Sequence, residues 1–291
     1  MFKQAGYPLE DTMSHEGDPG LFGPDSVSWR VIGDTSAFIG GLRALLIQAA
    51  HAEVVAGVAD HSRYREDPLG RLSRTSNYVT ATCFGAMPEV EAAVAAVERA
   101  HRPVRGVSHR GQAYTADTPD LAAWVHNALT DSFLAAYQRF GRTRLTATEA
   151  DRFVAEQTQV GALLDADPMP VDADDLASWL DEHAGAAPSP GMAEAIEFLH
   201  RPPLRFAVRM GYRVVFAAAV ATISPRLRRL LGVRRRPGAI VLGKLLSRYL
   251  RWVLGSSPSW HLALIRVGAS VPEGLFKQPL PPEARGVEEL D

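Results

Sequence analysis

The chain has 291 residues, of which 46% are hydrophobic and 22% charged, enough for a sizeable core. A mean hydropathy of −0.06 argues against a bundle of membrane spans, and a single cysteine, Cys83, excludes an internal disulfide. The net charge of −2 conceals a split: residues 1–197 hold 15 basic and 28 acidic side chains, whereas residues 198–272 hold 14 basic and none acidic. Such asymmetry points either to an anionic partner or to a basic segment packed on an acidic remainder.

The opening "MFKQAGYPLEDTMSHEGDPG" has no basic stretch followed by an apolar run, so no secretory signal is read there. With one cysteine, the expected compartment is the cytoplasm. Residues 1–35 are rich in Gly, Pro and Asp and read as a lead-in; residues 36–291 read as one helical domain. In "SAFIGGLRALLIQAAHAEVVAGV", Phe38, Leu42, Leu45, Leu46 and Ala49 form a helical stripe, with Asp34, Thr35 and Ser36 as cap candidates. "DPLGRLSRTSNYVTATCFG" begins a further helix with Asp67 as cap and Pro68 at the first helical position. On that helix Arg71, Arg74, Thr75 and Tyr78 fall at i, i+3, i+4 and i+7, which is one face.

"MPEVEAAVAAVERAH" is an alanine-rich helix with Pro88 in its first turn and Pro103 beyond its end. "VRGVSHRGQAYTADTPD" has short β-like runs broken by glycine and reads as a small hairpin. "TPDLAAWVHNALTDSFLAAYQRFG" is a helix begun by Thr118 and Pro119 and closed by Gly141. "TATEADRFVAEQTQVGALL" starts with a capping box, Thr146 and Glu149. Two short helices are expected near 172–183 and 190–200, then "LRFAVRMGYRVVFAAAVATIS" and "GAIVLGKLLSRYLRWVLG". The first of these is too short in its uncharged part to cross a bilayer and is expected to be a core helix. Arg201, Arg205, Arg209 and Arg213 recur every four residues, a stripe suited to anionic headgroups, so peripheral membrane contact is considered for 201–251. The fold class expected is mainly α with at most one hairpin.

The usual phosphate loops, zinc motifs and nucleophile elbow are missing from the sequence. Chemistry must then come from scattered residues together with a cofactor. Of nine histidines, His15 and His183 lie in polar surroundings and are expected to be solvated. His101 closes the alanine-rich helix, and His126 shares a stripe with Leu129, Phe133 and Tyr137. A histidine on an apolar face is either a satisfied core residue or a neutral imidazole able to hold haem iron, and periodicity does not choose between them.

Five stretches in order carry a resemblance: "GLFGPDSVSWRVIGD" (20–34), residues 40–79 through "DPLGRLSRTSNYV", "VERAHRPVRG" (97–106), "TPDLAAWVHNALTDSFLAAYQRFG" (118–141) and "VGASVPEGLF" (267–276). Together they resemble the oxygenase family that includes the rubber-cleaving latex clearing protein and the mycophenolic-acid-pathway oxygenase. The resemblance implies a helical fold with one b-type haem and dioxygen as co-substrate. It implies His101 as the proximal iron ligand, with His126 as the fallback. Where rubber-cleaving members have Arg-x-x-Lys-Thr on the distal helix, this chain reads Arg71, Arg74 and Thr75. That lysine can sit on iron. A guanidinium keeps its proton and cannot, so Arg74 is expected to donate to dioxygen or to pair with a haem propionate. Tyr78 completes the distal face. The acidic base of rubber cleavage has no clear match; Glu53 and Glu66 are candidates by neighbourhood only. The reading that follows is a haem-dependent oxygenase with a small apolar or lipid-like intracellular substrate. Nucleic acid is not an expected partner. The alternatives are a non-catalytic haem protein, or a haem-free module that binds a membrane surface or an acidic partner.

Overall fold

The computed structural model describes residue 9, residues 11–62 and residues 68–280. These form a mainly α fold: thirteen α-helices, one short 3-10 turn and one two-stranded antiparallel sheet. In chain order the helices are α1 (Val27–Ile32), α2 (Ala37–Gln48), α3 (Ala52–His61), α4 (Pro68–Phe84) and α5 (Met87–His101). The hairpin β1 (Arg105–Val107) and β2 (Ala113–Thr115) follows, pairing Gly106 with Tyr114. Then come α6 (Pro119–Phe140), α7 (Ala147–Ala162), α8 (Ala173–Glu182), α9 (Pro190–His200), α10 (Phe206–Thr222), α11 (Pro225–Leu230), α12 (Ala239–Leu254) and α13 (Pro258–Arg266).

Packing centres on α2 against α6, with α10 and α12 laid over them. The two central helices approach closely because Gly40 has no side chain: a Cβ there would lie 2.8 Å from the Phe133 ring and 3.1 Å from its Cα. Arg43, buried on α2, bonds Asp131 at 2.5 Å and Ser132 at 2.9 Å on α6, and the Thr222 carbonyl of α10. One cation thus ties three helices, and removal of either charged partner would strand the other in the interior.

Residues 27–32, inside the stretch expected to be a lead-in, form α1 and bury Trp29 in the core. The Trp29 indole donates to the Cys83 carbonyl at 2.7 Å. The N–H groups of Val27 and Ser28 donate to Glu156 of α7, which caps α1 from a distance. Ser26 adds a local cap, accepting the Trp29 N–H at 3.2 Å, whereas nothing near in sequence announces Glu156.

The continuous helix expected over "SAFIGGLRALLIQAAHAEVVAGV" is broken. The chain turns at Ala49–Ala50, and His51 is extended (φ −86, ψ 122) before α3 begins. A bridge to Ala186 holds it there, with Ala187 N–H donating to Ala50 and Ala52 N–H to Gly185. The expected stripe is also rotated. Ile39, Leu42, Leu46 and Ile47 are buried, whereas Phe38 is exposed. The local signals elsewhere form as read: Pro68, Pro88 and Pro119 open their helices, and Thr146 with Glu149 makes a complete capping box. The Asp67 cap lies outside the described residues. The core-helix expectation for α10 holds only for its second half, where Ala218, Ala219 and Val220 are buried; Phe206, Val208 and Met210 are exposed. Among the described residues no helix is long and apolar enough to cross a membrane.

Candidate functional site

The α4–α5 arm carries most of the expected site. The two helices are joined by only Gly85 and Ala86 and pack against one another. At ~1.5 Å rise per residue, Arg71 and His101 lie at similar distances from that turn, so both are at the free end of the arm. Arg74 is exposed, and Thr75 and Tyr78 are half-buried; the Arg71 side chain and Glu66 lie outside the described residues. Burial raises the Tyr78 phenol well above its ordinary pKa, so it stays a neutral donor.

His101 is the last residue of α5. Desolvation by the surrounding chain lowers its pKa, outweighing the opposing pull of Asp117. The residue is nonetheless exposed at the helix end, and no hydrogen-bond partner holds its imidazole among the described residues. A neutral imidazole with an uncommitted lone pair is what a haem iron asks of a proximal ligand. The surface beside it is uncovered and mixed, with Glu98, Arg99 and Arg102 exposed next to it. From Glu91 to His101 no residue of α5 is fully buried, and Ala93, Val94 and Val97 are only half-covered. Neither of the two cavities described below includes His101, so what the structure offers a haem here is one imidazole at an open helix end.

His126 is in a different place. It points from α6 into a small cavity of ≈ 20 Å³, which Tyr78, Thr82, Phe133 and Gln157 also line. That volume suits about one water. Burial lowers the His126 pKa to about 4, against the raising effect of a hydrogen bond to the Gln157 backbone, and Nε2 lies 3.4 Å from the Thr130 hydroxyl. These are the partners of a satisfied core histidine. The structure brings Tyr78 and His126 together inside, and leaves Arg74 and His101 at the outer end of the arm.

Glu53, read as a candidate base, is buried on α3 and turned toward the hairpin. It accepts from Ser108 at 2.8 Å and from both Arg110 Nε and a terminal guanidinium nitrogen. Burial would raise its pKa, but the Arg110 and Ser108 bonds prevail and lower it. A carboxylate held in that way is a weak base, and its role in the fold is to fasten β1–β2 to α3.

Behind Glu53 lies a group that sequence reading missed. His51 is buried, with Nδ1 3.5 Å from Glu53 Oε2 and neither ring nitrogen within hydrogen-bonding geometry of a partner. His183, expected to be solvated, is instead boxed by Trp124, Trp179 and His51. The ligand atoms of His51, Asp120 and His183 lie within 4.8 Å of one another. His183 Nδ1 accepts the Gly185 N–H at 3.0 Å, which puts its proton on Nε2, directed at Asp120 Oδ1 3.3 Å away. The nitrogen facing the cluster is then a donor and not a ligand, so in this tautomer His183 and Asp120 form a hydrogen-bonded pair with His51 packed beside them. No periodicity in "WLDEHAG" could have revealed it, because Trp124 and His51 come from far along the chain.

A far roomier crevice, about 790 Å³, lies between the end of α6 and α12 and contains none of the expected site residues. Comparison with known proteins gives one family: the model for the catalytic domain of ER-bound oxygenase mpaB/B'/rubber oxygenase matches residues 29–254. No curated protein matches the chain. No solved structure matches it either.

Proposed function

From the premise that this chain belongs to the ER-bound oxygenase mpaB/B'/rubber oxygenase catalytic-domain family, we propose that it is a b-type haem-dependent oxygenase for a small apolar or lipid-like substrate, working in the cytoplasm with dioxygen. The observation that carries the reading is His101: an exposed imidazole with no hydrogen-bond partner among the described residues, at the free end of the α4–α5 arm and level with the Arg71–Thr75 turn. His101 would hold the iron, and Arg71, Arg74 and Thr75 would line the other side, with Tyr78 behind them at the His126 cavity. Haem, when bound, supplies the dioxygen chemistry that no side chain of this protein offers.

The remaining work falls to the chain itself. The Arg74 guanidinium could neutralise a propionate or donate to a developing negative charge, and a guanidinium does not compete as an axial ligand. Thr75 supplies a hydroxyl donor one residue on. Tyr78, kept protonated by burial, donates and does not ionise. The half-covered Ala93, Val94 and Val97 of α5 offer apolar surface against which a hydrophobic molecule would displace water.

The test is aerobic turnover. Haem-loaded, reduced protein is mixed with short isoprenoid and other unsaturated lipids, and dioxygen uptake is followed with product analysis. Uptake matched by oxygenated product is expected. A ferrous protein that binds dioxygen stably and leaves every lipid unchanged would mark a carrier or sensor instead.

A further inference from the structure

The helix α12 is built with its apolar side outward. At ~100° per residue, Ala239, Gly243 and Ser247 share one side, and all three are buried. They are small because the neighbours are close: a Cβ on Gly243 would lie 2.8 Å from both Ala218 and the Phe140 ring. The opposite arc carries Leu242, Leu245, Tyr249 and Trp252, all exposed, with Trp252 at 70%. Beside it on α10, Phe206 is also 70% exposed and Met210 is exposed. The four exposed side chains of α12 alone present more contiguous apolar helix face than ordinary surface composition explains.

The third arc of α12 carries Lys244 and Arg248, which open into the ≈ 790 Å³ crevice. Arg139, Arg142 and Arg144, from the end of α6 and the loop after it, line the crevice's other side. Among the described residues none of these five has a carboxylate partner. Arg251 and Lys277 also line it but are engaged, with Asp34 and the Trp252 carbonyl. An apolar arc beside a cationic arc is the layout of a helix that lies in a bilayer surface, with aromatic side chains at the headgroup level.

We propose that the chain docks on anionic phospholipid bilayers through this face. Leu242, Leu245, Tyr249 and Trp252 enter the headgroup–acyl boundary, and the crevice cations take lipid phosphates. Charge decides between this occupant and a second copy of the chain. Residues 198–272 have no acidic side chain, so a two-fold contact through α12 would oppose Lys244 and Arg248 to their own copies with nothing to neutralise them. An anionic bilayer meets both arcs at once. The inference goes beyond the oxygenase reading and is independent of it. Within the 201–251 region considered for membrane contact, it places that contact on α12 and not on the Arg201–Arg213 stripe.

Vesicle co-sedimentation of the full chain tests it, scored whether or not haem is bound. The protein is expected to sediment with phosphatidylcholine vesicles containing phosphatidylserine, to stay free with phosphatidylcholine alone, and to be released by salt. Each cationic side chain removed should lower the partition coefficient about fivefold, so Lys244→Glu/Arg248→Glu should lose more than tenfold. Leu245→Asp/Trp252→Asp should abolish binding. All four positions are exposed, and unchanged circular dichroism and melting temperature would show that the variants fold. Equal binding to both vesicle types would overturn the proposal, as would either variant binding like the wild type. A wild-type dimer that Leu245→Asp/Trp252→Asp turns into a monomer, without vesicle binding, would assign the face to a second copy.

Discussion

Replacing His51 with phenylalanine should flatten the acid limb of the protein's stability curve. The imidazole is 3% exposed and its ring nitrogens have no hydrogen-bond partners. Burial, then the neighbouring His183, lowers its pKa to about 4, against the opposing fields of Glu53 and Asp120. In the unfolded chain the same group titrates near ~6.5. Its neutral form is thus the one the fold accepts. The stability is fully present above pH ~6.5 and is lost as the pH falls, because protons bind the unfolded chain first. The drive to unfold rises by about 2 kcal/mol at pH 5 and by about 3 kcal/mol below pH 4. That is a large part of the ~5–15 kcal/mol that holds a domain together. Urea unfolding of wild type and His51→Phe at pH 7.5, 6, 5 and 4 gives the difference directly. Phenylalanine is larger, and the backbone at Gly185 is tight against the ring, so the variant's whole curve will be offset. The diagnostic is the slope: the gap between the curves should change by ~2–3 kcal/mol in the variant's favour on going from pH 7.5 to 4. A pH-independent gap would refute the reasoning.

Three further outcomes follow from the packing and the site. Gly40→Val would drive a side chain into Phe133 where the central helices touch, and should cost about 1–3 kcal/mol, read as a fall in melting temperature. Arg266→Ala removes a fully buried guanidinium that bonds the Asp18 and Phe84 carbonyls and the Thr12 hydroxyl. Two buried acceptors and the part-buried Asp18 carbonyl lose their donor, so denaturant unfolding should show a loss of about 3 kcal/mol or more. In the haem-loaded protein, Arg74→Lys should yield a six-coordinate low-spin spectrum, since lysine can shed its proton and ligate; an unchanged spectrum would put residue 74 out of reach of iron.

How much of this was legible in the sequence depends on how local the cause is. Pro68, Pro88, Pro119 and the Thr146–Glu149 box act within one helical turn, and each marks a helix start as read. The helix break before His51 depends on a bridge to Ala186, more than a hundred residues away, so the apolar run "LLIQAAHAEVV" gave no sign of it. α1 has a local cap in Ser26, but the carboxylate that takes its Val27 and Ser28 N–H groups, Glu156, belongs to α7. His183 reads as polar surface from "DEHAG", yet Trp124 and Trp179 enclose it. For α12, periodicity reveals an apolar arc but not which side the protein covers. The small residues Ala239, Gly243 and Ser247 are the buried ones, the reverse of the usual inference. Within the site, spacing showed that Arg71, Arg74, Thr75 and Tyr78 share a face. It could not show that Tyr78 would turn inward toward His126 while Arg74 stayed outside.

The central claim is that His101 holds a haem. Its most direct test is the visible absorption spectrum of the purified chain, oxidised and reduced, titrated with haem beside His101→Ala. The account predicts a Soret band in the wild type that shifts on reduction, and loss of haem or a strongly altered band in the variant. A wild-type protein with no Soret band after titration, or a variant whose spectrum matches the wild type, would contradict it.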